Sequence, residues 1–379
     1  MTALLRPTEF TPLRLTLQDV GPLRGLTDIS FTNPSGEPTN LYLVMGPNGG
    51  GKTTLLDSIF TAYSLLDASE HASFGIDALD KGQGGLQLDA VVALDDGIRS
   101  RLYLLSIVAG EPGLLRRWSL TELEELNLDQ QIVLRYTRLS TIGGITRSNG
   151  SDPEAIGFAE AIIERAGDPS RSLFEVANGY PTVLYFPSDR GIRRPPERER
   201  AITRPEGLGY RAAHYLGVDG TTWASSIDNL FVWFTWLDDG REKLCRDLVN
   251  QLVFRRGKRL ASVDRQTLLV PVEVDGETHR LDQLSSGERQ FVQIVVRIAS
   301  HMTGSTLVLI DETEQHLHLV LRRRLINMIK TWAAEYRGIR FIMTSHQAES
   351  MRMLAPKQEE PGLVKGGCLV KPRFPAPDV

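Results

Sequence analysis

The chain has 379 residues, 41% hydrophobic and 24% charged, enough apolar content to bury a substantial core in one elaborated domain or two. A net charge of −4 supplies no global basic field for nucleic acid or anionic lipid, so any such contact has to be local or come through a partner. Only Cys245 and Cys368 are cysteines, residues 1–7 lack a secretory pattern and no apolar run approaches spanning length, so nothing suggests a disulfide framework, no membrane partner is expected and a reducing cytoplasm is the default.

Two alternating strands separated by Gly21-Pro22 are predicted at the start, followed by the apolar run Leu41-Tyr42-Leu43-Val44-Met45, which reads as a buried strand. Gly46-Pro47-Asn48-Gly49-Gly50-Gly51-Lys52-Thr53 then fits the phosphate-loop pattern G-x-x-x-x-G-K-[ST], and Thr54 continues it as a helix. Strand, loop and helix come in the order that turns the match into a nucleotide site. The glycines let backbone N–H groups face the β- and γ-phosphates of ATP, Lys52 adds a cation, Thr53 offers a hydroxyl to Mg²⁺, and the helix N-terminus favours the anion.

Further on, residues 87–94 and 99–108 around Asp95-Asp96-Gly97 predict a β-hairpin, and residues 113–130 and 153–166 predict helices flanking a strand at 131–136 and a loop at 143–152. A short apolar strand, Val183-Leu184-Tyr185-Phe186, stops at Pro187. The charged, proline-broken stretch 189–204 reads as a solvated loop, and the aromatic-rich stretch 222–256 as helical core.

Leu284-Ser285-Ser286-Gly287-Glu288 opens a strongly apolar helix, and Ser285-x-x-Glu288 by itself is a capping box. Thr306-Leu307-Val308-Leu309-Ile310 then forms a buried strand ending in Asp311-Glu312, where an aspartate would hold Mg²⁺ and the next carboxylate would polarise water. Thr344-Ser345 ends another strand and delivers His346 to a strand terminus, where site residues collect in open α/β sheets. His316 and His318, two apart on an expected helix, do not face each other and so make a poor metal pair.

Together these motifs resemble the ABC-type ATPase head. The resemblance implies an α/β fold with a mixed β-sheet, an antiparallel β-subdomain, a helical insertion and no long coiled coil. It implies that ATP and Mg²⁺ are bound by Gly46, Pro47, Asn48, Gly49, Gly50, Gly51, Lys52, Thr53, Thr54 and Asp311. It further implies that Ser285, Ser286, Gly287 and Glu288 form the signature that meets the nucleotide of a second copy in an ATP-sandwiched homodimer or higher oligomer, that Glu312 is the general base with Lys52 assisting, and that His346 is the switch histidine. Arg24 resembles a basic residue that reaches the nucleotide from the first strands, with a solvent-exposed role equally open. The Q-loop glutamine stays open between Gln83, Gln87 and Gln130. Thr313 stands where a proline is usual, and no clear D-loop is visible.

Ser-Ser-Gly-Glu and Asp311-Glu312-Thr313-Glu314-Gln315-His316-Leu317-His318 resemble the SMC, RecF and OLD branch rather than transporters. The interval of 235 residues between Lys52 and Gly287, broken by proline and glycine, leaves room for only a short arm, and the 33 residues after His346 leave none for a C-terminal nuclease. The expected organisation is an N-terminal lobe at 1–112, a mainly helical insertion at 113–262 and a C-terminal lobe at 263–379. This resembles stand-alone ATPase subunits of bacterial anti-phage systems of the Septu or PARIS type, which implies a sensor or switch for a separate effector, a nuclease. The alternative is a RecF-like or SMC-like ATPase of DNA repair or DNA ends, with DNA as a direct partner. Between the two stand a mixed-charge cluster (Arg190, Arg193, Arg194, Arg198, Arg200, Arg204) and a purer one, Arg255-Arg256-Gly257-Lys258-Arg259, the better DNA-contact candidate.

Overall fold

The computed structural model describes residues 6–67, 70–71, 73–95, 99–111, 113–139, 144–166, 179–254, 257–347 and 360–371. Two β-sheets dominate. The first has seven strands: β1 (Arg6–Val20), β2 (Leu23–Ser30), β4 (Glu70–His71), β5 (Gly85–Asp95), β6 (Ser100–Gly110), β7 (Gln131–Arg138) and β8 (Ile145–Arg147), in the order β2-β1-β5-β6-β7-β8-β4. All its pairings are antiparallel except β6 with β7. The second has six strands, all parallel: β3 (Leu41–Met45), β9 (Pro181–Phe186), β11 (Ala213–Tyr215), β16 (Ser305–Ile310), β17 (Ile339–Ser345) and β18 (Lys365–Leu369), in the order β11-β9-β16-β17-β3-β18. Small ladders join β10 (Gly191–Ile192) to β12 (Val218–Asp219), and β13 (Lys258–Leu260) to β14 (Pro271–Val274) and β15 (Glu277–Arg280).

The helices are α1 (Lys52–Ser64), α2 (Asp77–Asp80), α3 (Leu120–Glu125), α4 (Pro153–Arg165), α5 (Ile227–Leu237), α6 (Arg241–Leu252), α7 (Ser286–His301) and α8 (Leu319–Glu335). Among the described residues none is a long coiled-coil arm, and none is long and apolar enough to cross a membrane.

Side-chain alternation along the parallel strands builds the layers. Tyr42 and Val44, Val183 and Tyr185, Leu307 and Leu309 face one core, which they share with α1, α4 and the seven-stranded sheet. Leu41 and Leu43, Leu184 and Phe186, Val308 and Ile310 face the other, shared with α5 to α8. Buried on both faces, these strands read as continuous apolar runs, which is why the sequence shows them plainly.

Several expectations change. The helix expected at 113–130 shrinks to α3, opened by a Ser119–Glu122 capping box and closed where Asn127 turns left-handed (φ 55°). The loop expected at 143–152 contains β8, and the strand β18 lies along β3. The expected helical insertion at 113–262 is divided: β7 and β8 extend the seven-stranded sheet, β9 enters the central sheet, and only α5 and α6 pack as helices beside α7. Within 222–256, Trp223, Phe231 and Phe234 are core but Trp236 is exposed. Arg255 and Arg256 lie outside the described residues.

Candidate functional site

The C-terminal ends of four adjacent parallel strands converge: β3 leads into the glycine loop, β17 into His346, β16 into Asp311-Glu312 and β9 into residues 187–190. Such carboxyl ends are where open α/β sheets gather ligands. Gly51 caps α1 with φ 97°, and a Cβ there would come within 2.7 Å of the Leu23 side chain, so the loop can close against the β1–β2 turn only with glycine. Arg24, the next residue of β2, is exposed, and among the described residues no hydrogen bond joins it to the loop.

Lys52 is 5% exposed and curls over the loop, its Nζ donating to Gly46 O (3.0 Å) and Pro47 O (2.9 Å). An ammonium has three donors, so one is left for a ligand. The next residue reaches across the sheet. Thr53 Oγ1 donates to Asp311 Oδ2 (2.7 Å), while Thr344 Oγ1 donates to Asp311 Oδ1 (2.5 Å) and accepts from the Glu312 backbone N–H (2.8 Å). Asp311, 1% exposed, is thus oriented by hydroxyls from the first turn of α1 and from the end of β17, with Glu312 half-buried beside it. Glu312 itself stands in the left-handed region at φ 47°, a costly conformation for a residue with a Cβ.

On the next turn Asp57 accepts from Tyr185 Oη (3.0 Å), and burial pushes its carboxyl above the usual carboxylate range, with Asp311 adding to the rise. A lysine, a threonine hydroxyl, a buried aspartate and a glycine loop at a helix N-terminus form a donor set suited to a magnesium-bound polyphosphate.

His346 is not free. Its ring Nδ1 (2.9 Å) and backbone N–H (2.9 Å) both meet Glu314 Oε1, a carboxylate that also accepts from Ser345 Oγ (3.0 Å). His316 and His318 lie in the turn ahead of α8 rather than on a helix, His318 capping α8, and among the described residues no group of three metal-ligating side chains forms.

Ser285 and Glu288 make the expected capping box on α7, with Glu288 also held by Lys258 (2.8 Å). Ser285 and Ser286 are exposed, and Gly287 packs so closely on His316 O that a Cβ would come within 2.8 Å of it. Among the described residues no hydrogen bond joins Ser285, Ser286, Gly287 or Glu288 to the loop 46–54. The Ser285–Glu288 segment is therefore packed on the turn at His316 of its own chain while its serines are exposed.

None of the three glutamines reaches this site. Gln87 is buried in the seven-stranded sheet, bonded to Asp89 (2.8 Å) and to the backbone of Leu115 and Arg116, and Gln83 and Gln130 are exposed at that sheet's margins. Arg190, which the charge pattern had put in a solvated loop, does reach the site. It is 5% exposed, and its guanidinium donates to Pro187 O (2.8 Å), Asp311 O (2.6 Å) and Glu312 O (3.1 Å). The available signal was its position three residues past the proline that ends β9.

Parallel strands that present a lysine-bearing glycine loop opposite an Asp-Glu strand end define a P-loop ATPase. Residues 159–352, just over half of the chain, match the family described as "AAA domain, putative AbiEii toxin, Type IV TA system", and the chain belongs to that family. The match takes in α7, Asp311, Glu312 and His346 and begins beyond the glycine loop. Among solved structures, the SMC head domain from Thermotoga maritima is similar at 12% identity and a TM-score of 0.36, over 90% of this chain and 92% of that one.

Proposed function

We propose that the chain is a cytoplasmic ATPase that hydrolyses ATP between two copies of itself and uses that cycle to switch a separate effector, a nuclease, in anti-phage defence. The observation that carries the reading is the link from Thr53 through Asp311 and Thr344 to the backbone N–H of Glu312, which ties the glycine loop to the residue assigned here as the base. Lys52 and the loop N–H groups hold the phosphates, and Thr53 with Asp311 would hold Mg²⁺, whose charge offsets that of the β- and γ-phosphates. Glu312 takes a proton from the attacking water as the bond between the γ-phosphorus and the bridging oxygen breaks, releasing ADP and phosphate. Ser285 and Gly287 of the second copy supply a capped helix N-terminus to the γ-phosphate.

Direct DNA binding is the weaker reading. Of the purer basic run, Lys258 is paired with Glu288 (2.8 Å) and Arg259 with Glu273 (2.6 Å), and in the mixed cluster Arg194 and Arg200 share Glu197, so these four described cations are already matched by carboxylates of the same chain.

Mixing a Lys52→Ala chain with a Ser285→Arg chain tests assembly between copies. Each is expected to be inactive alone, and the mixture to recover activity from the one intact composite site. No recovery at any ratio, with mixed dimers shown to form, contradicts it.

A further inference from the structure

We propose that Arg190 is a positioning residue for Glu312, fixing the backbone that presents the base and tying it to the helix that carries Ser285. This rests on the reading of Glu312 as the base. The two peptide units flanking the Glu312 Cα are each held at both ends. Arg190 binds their carbonyls, Asp311 O and Glu312 O, while Thr344 receives their N–H groups, Glu312 N on its hydroxyl and Thr313 N on its carbonyl (3.2 Å). A left-handed backbone at a non-glycine residue persists only where its surroundings over-determine it, and these four bonds do so.

Only a guanidinium suits the carbonyl side. Its planar fork can serve Pro187 O, Asp311 O and Glu312 O together, whereas a lysine ammonium is a compact point charge on a flexible stem. Burial lowers the Arg190 pKa to about 10, opposed by the nearby carboxylates of Asp311, Glu312 and Glu314, so it stays charged at neutral pH.

The same segment reaches the signature helix. Gln290 Nε2 donates to Arg190 O (3.4 Å) and Arg289 Nη1 to Ile192 O (3.0 Å), both within the first turn and a half of α7. A shift of that helix when a second copy engages its N-terminus is thereby passed to the turn that carries the base.

The test compares steady-state kinetics and ATP affinity, by titration of a fluorescent ATP analogue, in Arg190→Lys, Glu312→Gln and the double variant of the full chain. Arg190→Lys is expected to lower kcat about 30-fold or more with KM and affinity within about twofold, and the double variant to turn over no more slowly than Glu312→Gln alone. Full kcat in Arg190→Lys, or a further loss on top of Glu312→Gln, overturns the proposal. If Glu312→Gln itself hydrolyses ATP at the normal rate, the base assignment has failed rather than the role of Arg190. Should Arg190→Lys not fold, Gln290→Leu carries the test. A three- to tenfold fall in kcat that vanishes in the Glu312→Gln background supports the coupling, and an unchanged kcat overturns it.

Discussion

Glu314 and His346, 32 residues apart in sequence, meet at the end of β17, where Oε1 of the buried carboxylate accepts from both the ring and the backbone N–H of the histidine. Glu314 is 2% exposed at its side chain and His346 39%, so the carboxylate is a fixed post and the imidazole the more accessible partner. A histidine whose one nitrogen is held by a carboxylate has its ring orientation and tautomer set, leaving the other nitrogen for a ligand.

If His346 senses the nucleotide through that ring, Glu314→Gln and His346→Ala should each lower turnover about tenfold with ATP affinity retained. The double variant should be no worse than His346→Ala, because the two act as one unit. Losses that multiply in a double-variant cycle contradict the pairing.

Arg297 of α7 and Asp219 of β12 form a buried ion pair, with Arg297 also donating to Ser225 O (2.6 Å). Burial raises the Asp219 carboxyl and the guanidinium opposes that rise. Arg297→Met should destabilise the chain by about 3–5 kcal/mol in urea unfolding, because it strands a buried carboxylate, and adding Asp219→Leu should recover most of the loss. A double variant as unstable as the single contradicts the account.

His301 ends α7 beside His214, its Nδ1 against Arg297 O (3.0 Å), and burial, reinforced by the Arg297 charge, lowers its pKa to about 3. With a folded pKa below the unfolded value near 6.5, the unfolded chain binds the extra proton. Stability from this group is therefore complete above about pH 6.5 and falls as pH drops towards 3. At pH 5 the loss is about 2 kcal/mol. The drop in unfolding free energy between pH 7.5 and pH 5 should be smaller in His301→Gln than in the wild type by that amount. An identical drop in both chains contradicts it.

Where the chemistry needs a fixed spacing along the chain, the sequence was legible. The glycine loop, the Asp311-Glu312 strand end and the Ser285–Glu288 cap are local patterns, and each occupies the element expected of it. The parallel strands β3, β9, β16 and β17 were equally plain, because burial on both faces makes them mostly apolar. The antiparallel register of β8 and the parallel seat of β18 depend on partners far away in sequence, which no local pattern encodes. Arg190 was hidden for the same reason. Among five other arginines it reads as solvent charge, and only β9's place beside β16 brings it under the backbone of Glu312.

The central claim is that Glu312 is the base of an ATPase whose nucleotide-bound state pairs two copies. The most direct measurement is ATP turnover and ATP affinity of Glu312→Gln in parallel with its size by exclusion chromatography, with and without MgATP. The carboxamide keeps the shape but cannot take a proton, so turnover should fall by two to four orders of magnitude while affinity persists and ATP drives the chain into a stable dimer. An unchanged rate, or a slow variant that binds ATP and stays monomeric at every concentration, would contradict the account.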